Sequence, residues 1–524
     1  MRSIHKLFVT SFAILLCLSY SCTNDKTKTG TDLPRSTPEA EGVNSEGIIA
    51  FLKAAEKKEK HEFHSFMFLR HGKVIAEGWW SPYAPDLKHT LYSTSKSFTS
   101  TAVGFAVSDS LIKVSDKVIS FFPDDLLDTI SPYLADMEIR DLLSMSAGLD
   151  PDPTRLIIAN NDNWVKAFLA TPVINDPGTK FLYNSMATYM LSAIVRKVTG
   201  EPVIEYLAPR LFEPLGIKGI DWERCPMGIN TGGWGLRLKT EDMAKFGQLY
   251  LQKGKWNGVQ ILSEEWIDEA TSFKIDQAPG VPEPIKDSSD WMQGYCYQFW
   301  RCRNNAFRAD GAYGQYIVVM PDQDAVVAIT CESQDLQDEL NLVWEYLLPS
   351  IEDNKLPKNE ESNETLILML DTLAVKVPDK GISSPLQPEI SGKKYKLDDN
   401  DRRLQAVTFN FNDDKCSVTM DYIDNSWSID FGSTNWVTGT TTRPGPNLLL
   451  SARNHLAGIP PVQTAGTYRW RNENTLELTL RYIESPHTET IACMFDQDKI
   501  SIDIKYSYIP GEDFPDLTGH HQEY

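Results

Sequence analysis

Histidine is scarce in this chain of 524 residues: there are nine, and none lies between Leu91 and Asn454. That gap excludes a Ser-His-Asp arrangement confined to the middle of the sequence, so a hydroxyl nucleophile there would need another base. Positive charge is also short. Lys and Arg number 51 against 72 Asp and Glu, a net charge of -21. Such a chain is unsuited to a phosphate backbone or an anionic membrane face, and its acid excess reads as a solubilising surface. Cysteine pairs at metal-ligand spacing are missing. After Cys17 and Cys22 there remain Cys225, Cys296, Cys302, Cys331, Cys416 and Cys493, with no CxxC among them. A chain this large needs no covalent staples, so free buried thiols are expected, with no metal and no cofactor. Beyond the N-terminus no apolar run is long enough to span a bilayer.

The N-terminus is a processing signal. Arg2, His5 and Lys6 precede "LFVTSFAILLCLSYSC", a positive start, a short apolar run and then small residues. "LSYSC" resembles a bacterial lipoprotein cleavage box with Cys22 as the lipidated residue, Tyr20 being bulkier than usual there. The expectation is a signal peptide over 1–21, a polar tether over 22–42, and a lipid-anchored protein of the bacterial cell envelope that meets the membrane only through its lipid.

Residues 43–352 alternate strand and helix patterns. "HSFMFLRHGKVIAEGWW" reads as two strands turned at Gly72, and "YGQYIVVMPDQDAVVAIT" as a hairpin turned at "PDQD". "IRDLLSMSAGLD" reads as a helix capped by Gly148, "YNSMATYMLSAIVRKVTGEPV" as one ending at Gly200, and "TEDMAKFGQLYLQKGKW" as one capped by Thr240. "ELNLVWEYLLPSI" closes the region as a helix. This is an α/β chain of the α+β type: an antiparallel sheet flanked by helices, with a mostly helical subdomain. Residues 353–384 are polar and read as a linker with one short amphipathic piece. Over 385–516 the period becomes two. "TLELTLRYI" puts Leu476, Leu478, Leu480 and Tyr482 on one face, and "KISIDIKYS" does so with Ile500, Ile502, Ile504 and Tyr506. That pattern predicts an all-β barrel or sandwich.

"LYSTSKSFTSTAVGFAV" (91–107) places Ser93 and Lys96 one turn apart at the start of a run that is small or apolar nearly all round. Such a run is a buried helix. Three other Ser-x-x-Lys matches, at Ser3, Ser110 and Ser391, fall in the signal, at a polar helix end and before a strand. At a helix N-terminus the free N–H groups and dipole favour negative charge on a serine. A buried amine loses its proton more readily and can serve as base. The bland alternative is that Ser93 caps the helix and Lys96 snorkels out. His89 has no evident acid to orient it, and "HEFH" (61–64) has no third metal ligand and reads as residues before a strand.

Together, "STSK", "RHGKVIAEGWW", "DKVISFFPD", "IRDLLSMSAGL", "PGTKFLYNSMATYMLSAIVRKVTG", "GGWGLRLKTEDMAKFGQLYLQKGKWNG" and "GAYGQYIVVMPDQDAVVAIT" resemble the β-lactamase-related serine hydrolases. That family holds penicillin-binding proteins, class C β-lactamases and their esterase and amide-hydrolase relatives. The resemblance implies Ser93 as nucleophile, Lys96 as its base and Tyr183 as the tyrosine of the second motif. Ser185 stands where that motif has asparagine, and Asn184, one residue off, should point elsewhere. Asp310 and Gly311 hold the place of the third motif, where the family has Lys-Thr-Gly or His-x-Gly. The backbone N–H groups of Ser93 and Ala312 would form the oxyanion hole. Arg308 is the one cation at hand, though a strand arginine usually faces solvent. Tyr92, Tyr313 and Trp234 are expected to line the cleft; Trp79, Trp80, Trp427, Trp436 and Trp470 read more readily as core. The implied activity is hydrolysis of a small amide, ester or short peptide, with a non-β-lactam substrate favoured. A penicillin-binding or D-amino-acid peptidase role is the next reading, and a non-catalytic glycan- or peptide-binding lipoprotein the third. Oligomeric state is not legible.

Overall fold

The turn at His71 and Gly72 sets the register of the first hairpin. Both residues take left-handed backbone, at φ 51° and 71°, as a two-residue turn between twisted strands requires. The strands are β1 (His61–Arg70) and β2 (Lys73–Trp79). In the computed structural model, which describes residues 32–445, 461–512 and 514–522, they join β3 (Trp300–Arg301), β4 (Phe307–Gly311), β5 (Gln315–Met320) and β6 (Ala325–Ser333). The six form one antiparallel sheet in the order β2-β1-β6-β5-β4-β3. The proposed lipidation site Cys22 and the signal lie outside the described residues.

Both faces of this sheet are covered, which is why its strands are almost continuously apolar. Phe66, Phe68, Val318, Val327 and Ile329 face a core shared with Ile48, Phe51 and Leu52 of α1 (Ser45–Lys57). Met67, Leu69, Ile317, Val319 and Val326 face a second core. Into that core pack α2 (Ser95–Ser108), α3 (Ser185–Thr199) and α4 (Thr240–Leu251). From Ser95 to Ala106 every residue of α2 is buried. Gly104 makes that burial possible: a Cβ there would sit 2.4 Å from the Trp266 indole.

Two helix ends differ from expectation. The "IRDLL" helix stops at Leu143, because Met145 takes left-handed backbone (φ 58°); Gly148 therefore lies beyond its end. Thr240 is the first residue of α4 rather than its cap, and its hydroxyl donates to Ser65 Oγ at 2.7 Å.

The period-two region closes into a barrel. Its strands are β7 (Lys394–Leu397), β8 (Leu404–Asn412), β9 (Lys415–Tyr422), β10 (Ser426–Gly432), β11 (Val437–Thr441), β12 (Val462–Asn472), β13 (Thr475–Tyr482), β14 (Thr488–Asp496), β15 (Lys499–Tyr506) and β16 (Leu517–His521). The order is β10-β9-β8-β7-β16-β15-β14-β13-β12-β11, and a β10–β12 pairing seals a ring of nine strands with β11 added outside it. Leu476, Leu478, Leu480, Tyr482, Ile500, Ile502 and Ile504 fill its interior, as their alternation required. β16 begins past residue 516, the expected end, yet it pairs with both β7 and β15 and is needed for closure.

The described part of the segment read as tether, from residue 32, and the segment read as linker are also packed. Leu33 is buried, and Arg35 pairs with Glu77 and Glu241 at 2.8 and 3.0 Å. Within 353–384, α5 (Glu360–Asp371) lies against the sheet through Leu366, followed by Leu373 and Val375. Leu373 fits over Gly78, where a Cβ would sit 2.6 Å from its Cδ1. Polar residues bounded this stretch, but its buried leucines fix it in place.

Candidate active site

Ser93 lies in a short turn of 3₁₀ helix, Tyr92–Thr94, that runs directly into α2. Lys96 follows one turn later and is 1% exposed, so it does not snorkel. Its Nζ lies 2.6 Å from the Gly233 carbonyl, 3.0 Å from Ser185 Oγ and 3.3 Å from Ser93 Oγ. Burial pulls its pKa down to about 7, with Asp152 and Asp310 acting weakly in the other direction. A neutral amine has two N–H donors and one lone pair. The Gly233 carbonyl and Ser185 Oγ take two of its N–H groups, and the third position of the amine, a lone pair when it is neutral, faces Ser93 Oγ.

Tyr183 is half-buried, two residues before α3 begins. The Lys96 ammonium position is 5.0 Å from its ring centre. Burial raises its phenol above the ordinary range, and the Ser93 hydroxyl pulls it the other way. Trp300 stacks on the ring at 5.7 Å, and Tyr295 meets it edge-on at 6.3 Å. Asn184 points elsewhere, as its position implied: its Oδ1 accepts from the N–H groups of Met186 and Ala187 and caps α3. Ser185, the first residue of α3, reaches Lys96 in place of an asparagine amide.

β4 carries Asp310 and Gly311, the residues expected in the third motif's place. At Gly311 a Cβ would stand 2.2 Å from the Leu91 carbonyl oxygen and 2.9 Å from Thr94 Oγ1. Only glycine lets this strand lie so close to the turn that carries Ser93. Thr94 donates to the Gln315 carbonyl at 2.7 Å and ties the turn to β5. Asp310 is bound by Arg308 Nε at 2.8 Å, and burial raises its pKa against the pull of that arginine. The expectation of a solvent-facing Arg308 is overturned. It is fully buried, 4.3 Å over the ring of Trp291 and 5.5 Å from that of Trp300, where it neutralises Asp310 from behind. Trp234 is a second correction. It is 4% exposed, its indole donates to Glu223 at 3.0 Å, and its ring packs on Trp164. It belongs to the core rather than the cleft.

Tyr92 and Tyr313 do flank the site, their ring centres 5.7 Å apart. What covers them was not legible. His487, from the β13–β14 turn of the barrel, places Nε2 2.5 Å from the Tyr92 hydroxyl and Nδ1 2.7 Å from Glu332 Oε1. Tyr313 donates to the Tyr508 carbonyl at 3.2 Å. The same turn is fastened by Thr90 N–H to the Glu484 carbonyl at 2.9 Å and by the Tyr83 hydroxyl to the Ser485 carbonyl at 3.1 Å. The other histidines near the strand start are engaged away from Ser93. His61 contacts Ser333 and Asp338, and His64 contacts His89 at 3.2 Å.

The family model for beta-lactamase matches residues 55–348. The chain belongs to the beta-lactamase family. Within that family it is 26% identical over 317 residues to the 6-aminohexanoate-dimer hydrolase of Paenarthrobacter ureafaciens, a match covering 56% of this chain and 78% of that protein. It is 29% identical over 252 residues to a protein of Escherichia coli O157:H7 named "Putative D-alanyl-D-alanine carboxypeptidase", covering 37% of this chain and 58% of that one. The solved structure titled "Putative 6-aminohexanoate-dimer hydrolase from Bacillus anthracis" shares the fold, with a TM-score of 0.51 at 20% identity over 62% of this chain and 89% of that chain. This member of the beta-lactamase family is a serine hydrolase.

Proposed function

We propose that the protein hydrolyses a small amide or ester through an acyl-enzyme on Ser93. Ser93 Oγ attacks the substrate carbonyl carbon while its proton passes to the lone pair of Lys96. The developing oxyanion is met by the N–H groups of Ser93 and Ala312, a contribution of about 10²–10³ in rate per donor. Collapse breaks the bond to the amine or alcohol, which leaves with a proton delivered through Tyr183. Water then cleaves the Ser93 ester by the reverse relay, returning the hydroxyl and releasing the acid. The observation that carries this reading is Lys96, buried at 1% exposure, 3.3 Å from Ser93 Oγ and held near neutral pKa.

Substrate class follows from charge. Ala309 stands where penicillin-recognising relatives keep a cation for the substrate carboxylate, the next residue is the acid Asp310, and the neighbouring Arg308 is already committed to that acid. A carboxylate-bearing β-lactam or D-alanyl peptide is therefore disfavoured, and a linear amide or ester is favoured. The likeness to a 6-aminohexanoate-dimer hydrolase supports a linear amide. The leader over 1–21, followed by Cys22, supports lipid anchoring at the bacterial cell envelope; among the described residues no helix is long and apolar enough to cross a membrane.

A fluorophosphonate probe, followed by peptide mapping, tests the reading. Labelling is expected on Ser93, with p-nitrophenyl esters turned over and nitrocefin and D-alanyl peptides at least ~10²-fold slower, the scale of losing one well-placed charge contact. Preferred release of D-alanine would move the protein to the D-peptidases. A folded chain that takes no label would be a binding module.

A further inference from the structure

We infer that the barrel is part of the catalytic unit, and that its His487 is a positioning residue for the nucleophile turn. The inference rests on the acyl-enzyme reading above and names a residue from outside the family match.

Two tyrosines frame the reacting atoms, and both are conformationally unusual. Tyr92 directly precedes Ser93 at φ 48°, and Tyr313 directly follows Ala312 at φ 65°. A bulky L-residue enters this region only when its surroundings hold it there. The ψ of Tyr92 aims the Ser93 N–H, and Tyr313 closes the turn that presents Ala312. The two oxyanion donors thus depend on two backbone conformations that neither residue favours.

One side chain touches both. The fully buried His487 ring lies 5.7 Å from that of Tyr92 and stands edge-on to Tyr313 at 4.7 Å. Its hydrogen bonds have a fixed polarity. The Glu332 carboxylate, which also accepts from Ser507 Oγ at 2.6 Å, accepts from Nδ1–H at 2.7 Å. Nε2 is then the acceptor for the Tyr92 hydroxyl at 2.5 Å. Glu332 belongs to β6, so the chain runs from the central sheet through the barrel and back to the residue before Ser93. Tyr508, also of the barrel region, accepts from Tyr313 and completes the clamp.

The test compares Tyr92→Phe, His487→Ala, His487→Gln and the Tyr92→Phe/His487→Ala double variant in the full chain. Each is measured for kcat and KM on a p-nitrophenyl ester, for the fluorophosphonate acylation rate constant, and for Tm. Loss of aim without loss of a donor should lower kcat and acylation by about 10- to 100-fold, with KM nearly constant. His487→Gln, which keeps an acceptor for the Tyr92 hydroxyl, should recover part of the loss. The double variant should be no slower than the slower single variant, because both break one chain of contacts. If His487→Ala fails to fold, Tyr92→Phe and His487→Gln decide alone. Folded variants within about twofold of wild type in kcat, or effects that multiply in the double variant, would overturn the role of His487 while leaving the acyl-enzyme intact. A wild type that neither labels nor turns over substrate would remove both readings together.

Discussion

Lys96 Nζ lies closer to the Gly233 carbonyl, at 2.6 Å, than to the serine it would activate, at 3.3 Å. The amine is held from behind by an acceptor that needs one of its protons whatever its charge, while its remaining valence faces Ser93. With a pKa of about 7, the lone pair is free above that pH and protonated below it. The kcat/KM profile for an uncharged ester should therefore rise with pH through an apparent pKa near 7 and level off. Lys96→Arg should abolish activity across the range, since guanidinium does not deprotonate. A flat profile from pH 5 to 9 would argue against Lys96 as the base.

Ser93→Ala is expected to remove fluorophosphonate labelling and to lower ester hydrolysis by roughly 10³-fold or more, with an unchanged melting temperature. Intact-mass analysis after labelling checks it directly, and label surviving in the variant would assign the nucleophile to another side chain.

Gly311→Ala tests the approach of β4. The new Cβ would meet the Leu91 carbonyl at 2.2 Å and Gln315 Cβ at 2.9 Å, and the backbone on one side cannot move without moving the nucleophile turn. The expected cost is about 1–3 kcal/mol of stability together with a loss of ~10-fold or more in acylation, read by denaturant melts and stopped-flow labelling.

The bond between barrel and sheet is testable at Arg481, which is buried and donates to Glu62 Oε2 at 2.7 Å. Burial alone would raise the Glu62 carboxyl, but Arg481 and His64 together hold it well below the usual range. A depressed carboxyl stabilises the fold at pH values above the ordinary carboxylate range, and that stability is lost as pH falls through the folded-state value. Arg481→Ala should therefore cost on the order of 1–3 kcal/mol at pH 7, less than a fully buried pair because the Glu62 side chain is 37% exposed. The gap from wild type should close in strong acid. Thermal melts at pH 7 and in acid measure both.

Local rules reached far in this chain because much of its fold is locally encoded. The alternation of Leu476, Leu478 and Leu480 and of Ile500, Ile502 and Ile504 yields the barrel interior. The unbroken burial of α2 was legible in its lack of any polar face. Ser93, Lys96, Tyr183 and Ser185 were found by spacing and by resemblance, and they meet in space. What was missed depends on long-range contact. Arg308 was read from the habits of strand arginines, but the partners that bury it, Trp291, Trp300 and Asp310, come together only in the folded sheet. Trp234 adjoins Gly233, whose carbonyl holds Lys96, yet its own ring goes to Trp164 and Glu223. His487 lies 395 positions from Tyr92, and no periodicity or motif links them. The histidine gap excluded a triad within the middle of the chain, but it said nothing of an imidazole arriving from the far end to meet Tyr92, the residue before Ser93.

The six described cysteines are buried and unpaired, and burial raises the thiols of Cys296, Cys302, Cys331, Cys416 and Cys493 above their usual range. Oxidants attack the thiolate, and here that form is both rare and out of reach. These six thiols should thus stay unmodified in the folded protein as it passes between reducing and oxidising surroundings. Oxidation or disulfide exchange at these thiols would fall on chains still unfolded, making a reductant valuable to them during refolding and of little use to them in the finished fold.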